Sequence, residues 1–193
     1  ALAGMTIANA QEKKNLELSD VFERPVFQMK GVRGMNPMRD GDTYGTIEKG
    51  EFNIYNYKTG KMVKTMFRFN ELIPEGETAP IRAFNYTLSD DESKVLFLTN
   101  INYIYRHSFT AYYYVYDLNT KSLKPLSENG NQRLATFSPD ATKVAFMRDN
   151  NLFIKDLNTG DEKQFTFDGL YNHIINGAPD WVYEEEFSFS QGF

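Results

Sequence analysis

Three consecutive carboxylates, Glu184, Glu185 and Glu186, lie among bulky aromatic residues in the segment DWVYEEEFSF, residues 180–189. No lysine or arginine lies within this segment or after it. Like charges side by side repel each other, and burial against aromatic rings would raise their pKa values unless a cation approaches. A primary ammonium, whose three N–H donors need several carboxylate oxygens, is the ligand that suits such a cluster. A solvated acidic face is the alternative interpretation.

Arg106 is the second candidate, in the aromatic run YIYRHSFTAYYYVYDL at residues 103–118. A guanidinium held among aromatic side chains can position a carbonyl or carboxylate of a ligand. The alternative is a structural role, in which Arg106 ends a strand or pairs with a surface acid. His107 is predicted to be structural, because no acid or nucleophile pattern accompanies it.

Neighbouring acids can converge on one ligand only from a suitable backbone. Successive residues of a strand point to opposite faces of the sheet. We therefore expect Glu185 and Glu186 on a short helical or irregular segment between strands, with their carboxylates close to Arg106. The adjacent Glu184 is expected to face another way and to matter less.

The rest of the chain repeats one pattern of turns and strands. Asp-centred turns at Asp40, Asp91 and Asp140 are 51 and 49 residues apart. A strand, a second turn and an aromatic-rich strand follow each of them. A further turn then ends each repeat, at Lys58-Thr59-Gly60, Asn119-Thr120-Lys121 and Asn158-Thr159-Gly160. Asn, Asp and Gly supply the special backbone positions of tight hairpins.

Repeats of about 40 to 50 residues, each a four-stranded meander, are typical of β-propellers. We predict an all-β fold, a β-propeller fragment with about three blades and the start of a fourth. A β-sandwich would not repeat the same Ser-x-Asp turn at this period. Residues 15–23 are expected to form a helical turn or an edge strand. Closed propellers need more blades, so the chain is expected to be part of a larger protein.

Composition excludes several classes of function. With a net charge of −5 and a pI near 5.1, the chain has no basic stripe for a nucleic acid. It has no cysteine and only two histidines, so we predict neither a metal site nor a cofactor. No apolar run approaches the roughly 18 residues of a membrane span. Since the sequence holds no Gly-x-Ser-x-Gly motif and no assignable Ser-Asp-His set, it is predicted to hold no catalytic residues and to be inactive alone.

The first ten residues are small and apolar and end in Ala8-Asn9-Ala10, the A-x-A pattern of signal-peptide cleavage. We interpret residues 1–10 as the remainder of a signal peptide and residues 11–193 as the propeller portion. Export to the periplasm or the exterior is therefore expected. A disordered tail of other origin is the alternative.

Three segments together resemble the propeller domain of the dipeptidyl peptidase IV branch of the prolyl oligopeptidase family. They are NGAPDWVYEEEF (176–187), YRHSFTAYYYVYDL (105–118) and FSPDATKVAFMRDNNLFI (137–154). The resemblance implies a serine exopeptidase whose eight-bladed propeller caps an α/β-hydrolase domain. Such an enzyme removes X-Pro or X-Ala dipeptides from peptide N-termini, and the complete protein would be a homodimer.

The resemblance also implies the role of each candidate residue. Glu185 and Glu186 would bind the α-ammonium of the substrate, and Arg106 would contact a backbone carbonyl and hold the Glu pair. The partners implied are peptides with a free N-terminus and Pro or Ala in second position. One rival hypothesis is a non-catalytic propeller that serves as a binding or interaction module. A second, an unrelated adhesion propeller, is disfavoured because Arg106 and the Glu run occur together.

Overall fold

The computed structural model describes residues 15–23, 31–32 and 34–193. The chain divides into two units at Arg33–Gly34. The described part of the first unit contains a short helix, α1 (Leu18–Phe22), which is the helical one of the two alternatives expected there. The proposed signal-peptide remainder, residues 1–10, lies outside the described residues.

The second unit contains three antiparallel sheets of four strands each, and in each sheet the strands are neighbours in chain order. The first sheet comprises β1 (Asn36–Pro37), β2 (Thr43–Glu48), β3 (Glu51–Asn56) and β4 (Met62–Arg68). The second comprises β5 (Asn85–Leu88), β6 (Lys94–Tyr103), β7 (Phe109–Asp117) and β8 (Leu123–Pro125). The third comprises β9 (Arg133–Phe137), β10 (Lys143–Arg148), β11 (Asn151–Asp156) and β12 (Glu162–Gln164).

The Asp-centred turns occupy the same place in all three sheets, between the first and second strands. Each aspartate accepts a hydrogen bond from the backbone N–H two residues ahead, at 2.9, 3.0 and 3.1 Å for Asp40, Asp91 and Asp140. The residue after each aspartate has positive φ, at Gly41 (73°), Glu92 (56°) and Ala141 (54°). The equivalence predicted from the repeat is confirmed, because a side chain that caps its own turn fixes the local backbone.

Hydrogen bonds from Ser89 and Ser93 hold the pKa of Asp91 well below its ordinary value, at about 2. A carboxyl whose folded-state pKa is depressed stabilises the fold above its unfolded pKa, and this stability is lost as the pH falls through the folded pKa. Asp91 is exposed, so solvent screening reduces the stabilisation that this pKa implies. We therefore expect Asp91→Asn to lower stability at pH 7 by about 1 kcal/mol or less, and the difference from the native chain to disappear between about pH 4 and pH 2. Thermal unfolding across this range measures it. The matched control is Asp90→Asn, because the Asp90 side chain is also exposed but accepts no hydrogen bond within the described residues. An equal loss in both variants would contradict the role of the turn.

The second sheet has an apolar residue set on each face, so it packs against both of its neighbours. Val95, Phe97 and Tyr116 join Phe52 and Phe67 of the first sheet in one buried cluster. The alternate residues, Leu96, Leu98, Ala111 and Tyr113, join Val144, Phe146 and Phe153 of the third sheet in another. Consecutive four-stranded meanders packed face to face in this way are blades of a β-propeller.

After β12 the chain forms one isolated bridge, between Leu170 and Ile174, and the helix α2 (Trp181–Phe187). This is where the start of a fourth blade was expected, and the described residues contain no further strand there. None of the helices in the described parts of the chain is long and apolar enough to cross a membrane.

Candidate functional site

Arg106 lies at the tip of the longest hairpin of the second unit. β6 has ten residues and β7 has nine, whereas β10 and β11 of the next blade have six each. The tip closes where the Ser108 carbonyl accepts hydrogen bonds from the backbone N–H groups of Ile104 (2.8 Å) and Tyr105 (3.2 Å). The extra length carries the Arg106 side chain to a position where 76% of it is exposed.

The three glutamates lie on helix α2, as expected for neighbouring acids that must not alternate across a sheet. Asp180 is the N-cap, and its Oδ1 accepts hydrogen bonds from the N–H groups of Val182 (2.9 Å) and Tyr183 (3.2 Å). Ser188 ends the helix in the left-handed conformation, with φ of 53°. Both ends of this seven-residue helix are therefore fixed by local hydrogen bonding, which short helices need.

The structure brings Arg106 and Glu185 together. Arg106 Nη1 lies 3.7 Å from Glu185 Oε2, and the Glu185 side chain is 16% exposed. This distance gives Coulomb attraction but exceeds that of a hydrogen bond. Within the described residues neither group makes a side-chain hydrogen bond, so their polar atoms remain available to a third group. Glu186, the next residue of the helix, is exposed, and the described part of the chain shows neither an ion pair of Glu186 nor a contact with Arg106.

Glu184 faces away from this pair, as expected, but its environment was not predicted. Its side chain is 1% exposed, and its Oε1 accepts a hydrogen bond from the backbone N–H of His107 at 3.1 Å. Its Oε2 lies 3.8 Å from Nη2 of Arg133, an arginine whose side chain is only 11% exposed. Burial lowers the pKa of Arg133, and the Glu184 charge acts in the opposite direction.

A cavity of about 990 Å³ is lined in part by the first turn of α2. Tyr105, Arg133 and Trp181 are among its lining residues, but Arg106, Glu185 and Glu186 are not. The predicted site is therefore on the surface next to this cavity rather than inside it. No group of His, Cys, Asp or Glu side chains in the described residues is arranged to hold a metal ion.

Sequence reasoning thus placed Arg106 next to Glu185, as the structure does, and missed the buried pair of Arg133 and Glu184. Arg133 was missed because it belongs to no recognisable motif. Its sequence neighbourhood, NGNQRLATF (129–137), does not indicate that the side chain is buried. The only signal available in the sequence was the number of acids. Three acids occur where one ammonium needs two, so one of them was free for another role.

Comparisons with known proteins agree with this architecture. A family model described as the dipeptidyl peptidase IV (DPP IV) N-terminal region matches residues 89–193, which include the hairpin, the third blade and helix α2. The crystal structure of Porphyromonas gingivalis dipeptidyl peptidase 4 superposes with a TM-score of 0.73 at 39% sequence identity. That match covers 93% of this chain and 26% of the other.

Two fungal relatives match over most of the chain. A probable dipeptidyl-aminopeptidase B of Emericella nidulans is 35% identical over 157 residues, or 76% of this chain and 17% of the relative. A probable dipeptidyl peptidase 4 of Aspergillus flavus is 35% identical over 159 residues, or 81% of this chain and 20% of the relative. The chain thus spans about a fifth of the length of these relatives.

Proposed function

The chain belongs to the dipeptidyl peptidase IV N-terminal region family, and from this premise we propose that it binds the N-terminus of peptide substrates. It would form part of the propeller of a serine exopeptidase that releases X-Pro and X-Ala dipeptides. The observation that carries the proposal is the contact between Arg106 and Glu185, 3.7 Å apart, with the exposed Glu186 following Glu185 on the same helix.

The chemistry of these groups fits a peptide N-terminus. The α-ammonium would donate hydrogen bonds to the carboxylates of Glu185 and Glu186, whose charge it neutralises. Arg106 would attract Glu185 and would donate to the first backbone carbonyl of the substrate. The cation that the acidic run lacks within its own segment would thus come from the substrate.

Binding the ammonium would also set where the peptide is cut. If the N-terminus is held at a fixed distance from the catalytic serine of the complete protein, only the second peptide bond reaches that serine. This is catalysis by positioning, in which bound geometry replaces a collision. The catalytic serine and the proline pocket would lie in other parts of the complete protein, which correspond to the regions of the relatives that this chain does not span.

The proposal also covers the rest of the chain and the complete protein. Residues 11–193 would be the propeller portion of an exported protein, periplasmic or secreted, and residues 1–10 the remainder of its signal peptide. The complete protein would act as a homodimer on peptides with Pro or Ala in second position.

The proposal is tested by Glu185→Gln and Glu186→Gln, made singly in the complete protein and assayed on a Gly-Pro reporter with a free amine. A charge-assisted hydrogen bond contributes on the order of 1.5–3 kcal/mol, so each variant is expected to lose about tenfold or more in kcat/KM. The control is Glu77→Gln, which removes the same charge from an exposed residue in the connection between the first and second blades. Wild-type kcat/KM in both site variants would refute the proposal. Absence of any hydrolysis by the native protein, with peptide binding retained, would indicate a binding module instead.

A further inference from the structure

Glu184 connects the two elements that carry the proposed site. It precedes Glu185 on helix α2, and its Oε1 accepts a hydrogen bond from the backbone N–H of His107, which follows Arg106 on the hairpin. This single bond joins residues 77 positions apart in the sequence. The two residues that it joins, His107 and Glu184, are the sequence neighbours of Arg106 and Glu185.

The two oxygens of the Glu184 carboxylate are not equivalent. The bond from His107 is 3.1 Å long, whereas the distance from Oε2 to Arg133 Nη2 is 3.8 Å, beyond hydrogen-bond range. Among the described residues, the His107 N–H is the only hydrogen-bond donor to this carboxylate. The ion pair with Arg133 compensates a buried charge, while the bond to His107 has a direction and fixes a position.

The exposed Arg106–Glu185 pair has no comparable constraint. Arg106 is 76% exposed and its contact with Glu185 is 3.7 Å long, so the pair by itself would not hold a long side chain in one geometry. The backbone at His107, by contrast, is tied to a carboxylate that is 1% exposed. What is fixed is thus the spacing of the two backbones from which Arg106 and Glu185 project.

We propose that Glu184 is a positioning residue, whose hydrogen bond from the His107 N–H sets the hairpin against helix α2 so that Arg106 and Glu185 receive the substrate ammonium together. This inference rests on the proposed function, because it concerns the same site. It assigns the role to the hydrogen-bond acceptor of Glu184 rather than to its charge.

The test separates acceptor from charge in two double variants of the complete protein, Glu184→Gln/Arg133→Met and Glu184→Met/Arg133→Met. Both remove the buried ion pair, and glutamine and methionine have similar volumes, but glutamine offers the His107 N–H a carbonyl oxygen, whereas the methionine sulfur is only a weak acceptor. On the free-amine Gly-Pro reporter, the glutamine variant is expected to lose less than about threefold in kcat/KM. The methionine variant is expected to lose about tenfold, through a raised KM with kcat little changed.

Equal KM values in the two double variants would overturn the inference. Should the methionine variant unfold below the assay temperature, the Glu184→Gln/Arg133→Met variant decides by itself, because a tenfold loss of kcat/KM there, with the acceptor kept and no unpaired charge left, would show that the charge and not the acceptor matters. Glu185→Gln is assayed alongside. Glu186→Gln is assayed as well. If neither Glu185→Gln nor Glu186→Gln changes kcat/KM, the proposed function itself fails. If Glu185→Gln lowers kcat/KM while the two Glu184 double variants have equal KM values, only the positioning role is refuted.

Discussion

Acetylation of the α-amine of a Gly-Pro reporter is expected to lower kcat/KM about a hundredfold or more in the complete protein. An ammonium brings a positive charge to Glu185 and Glu186, and an acetylated nitrogen brings none. Each lost charge-assisted hydrogen bond is worth about 1.5–3 kcal/mol, and 1.36 kcal/mol is a factor of ten in rate. Two such bonds therefore account for at least about 3 kcal/mol.

The Glu185→Gln/Glu186→Gln double variant separates charge from bulk in this experiment. The acetyl group is equally large in both enzymes, so a steric penalty would survive in the variant. We expect the preference for the free amine to fall below about tenfold there, because glutamine offers the ammonium no charge. Steady-state kinetics of both substrates on both enzymes give the coupling free energy between the α-amine and the two glutamates. A hundredfold preference that persists in the double variant would assign ammonium recognition to other residues.

Arg133→Met is expected to destabilise the third blade by about 3–5 kcal/mol, because it leaves the Glu184 carboxylate buried without a cation. Amide hydrogen exchange of peptides covering residues 132–137 and 180–188 measures the loss as a lower free energy of local opening. A second substitution, Glu184→Gln, is expected to recover most of it, since no charge then remains to be compensated.

The control for this prediction is Arg68→Met, which breaks two ion pairs of different exposure, with Glu51 and Glu71. Arg68 Nε lies 2.7 Å from Glu51 Oε1, closer than Arg133 lies to Glu184, but the two side chains are 43% and 36% exposed. Exposed pairs contribute about 1 kcal/mol or less. If distance governed the effect, Arg68→Met would be the more damaging variant. Burial predicts the opposite order, and equal losses in the two variants would contradict the role of Arg133 in compensating the buried Glu184 charge.

The parts of the fold that were predicted from the sequence are those that short-range chemistry determines. The turns at Asp40, Asp91 and Asp140 are each fixed by a side chain that accepts a hydrogen bond two residues ahead, so the pattern is legible in any one repeat. The helical placement of Glu185 followed from the period of a strand, which would have separated neighbouring carboxylates.

The parts that were not predicted depend on contacts between distant residues. Arg133 and Glu184 are 51 positions apart, and the sequence alone does not distinguish a buried arginine from a solvated one. Nor did the sequence indicate which of the three glutamates would be buried. That assignment depends on the rotation of α2 about its axis, which its packing against the hairpin and the third blade determines.

The length of the β6–β7 hairpin limits how this region can change in evolution. Each strand residue advances the chain by about 3.3 Å, so removing two residues from each strand would withdraw Arg106 by roughly 7 Å. That is more than its 3.7 Å distance from Glu185. Removing one residue from a single strand would instead turn the side chains beyond it to the opposite face. Insertions and deletions that keep the site intact are therefore confined to other connections, such as residues 69–84 between the first and second blades.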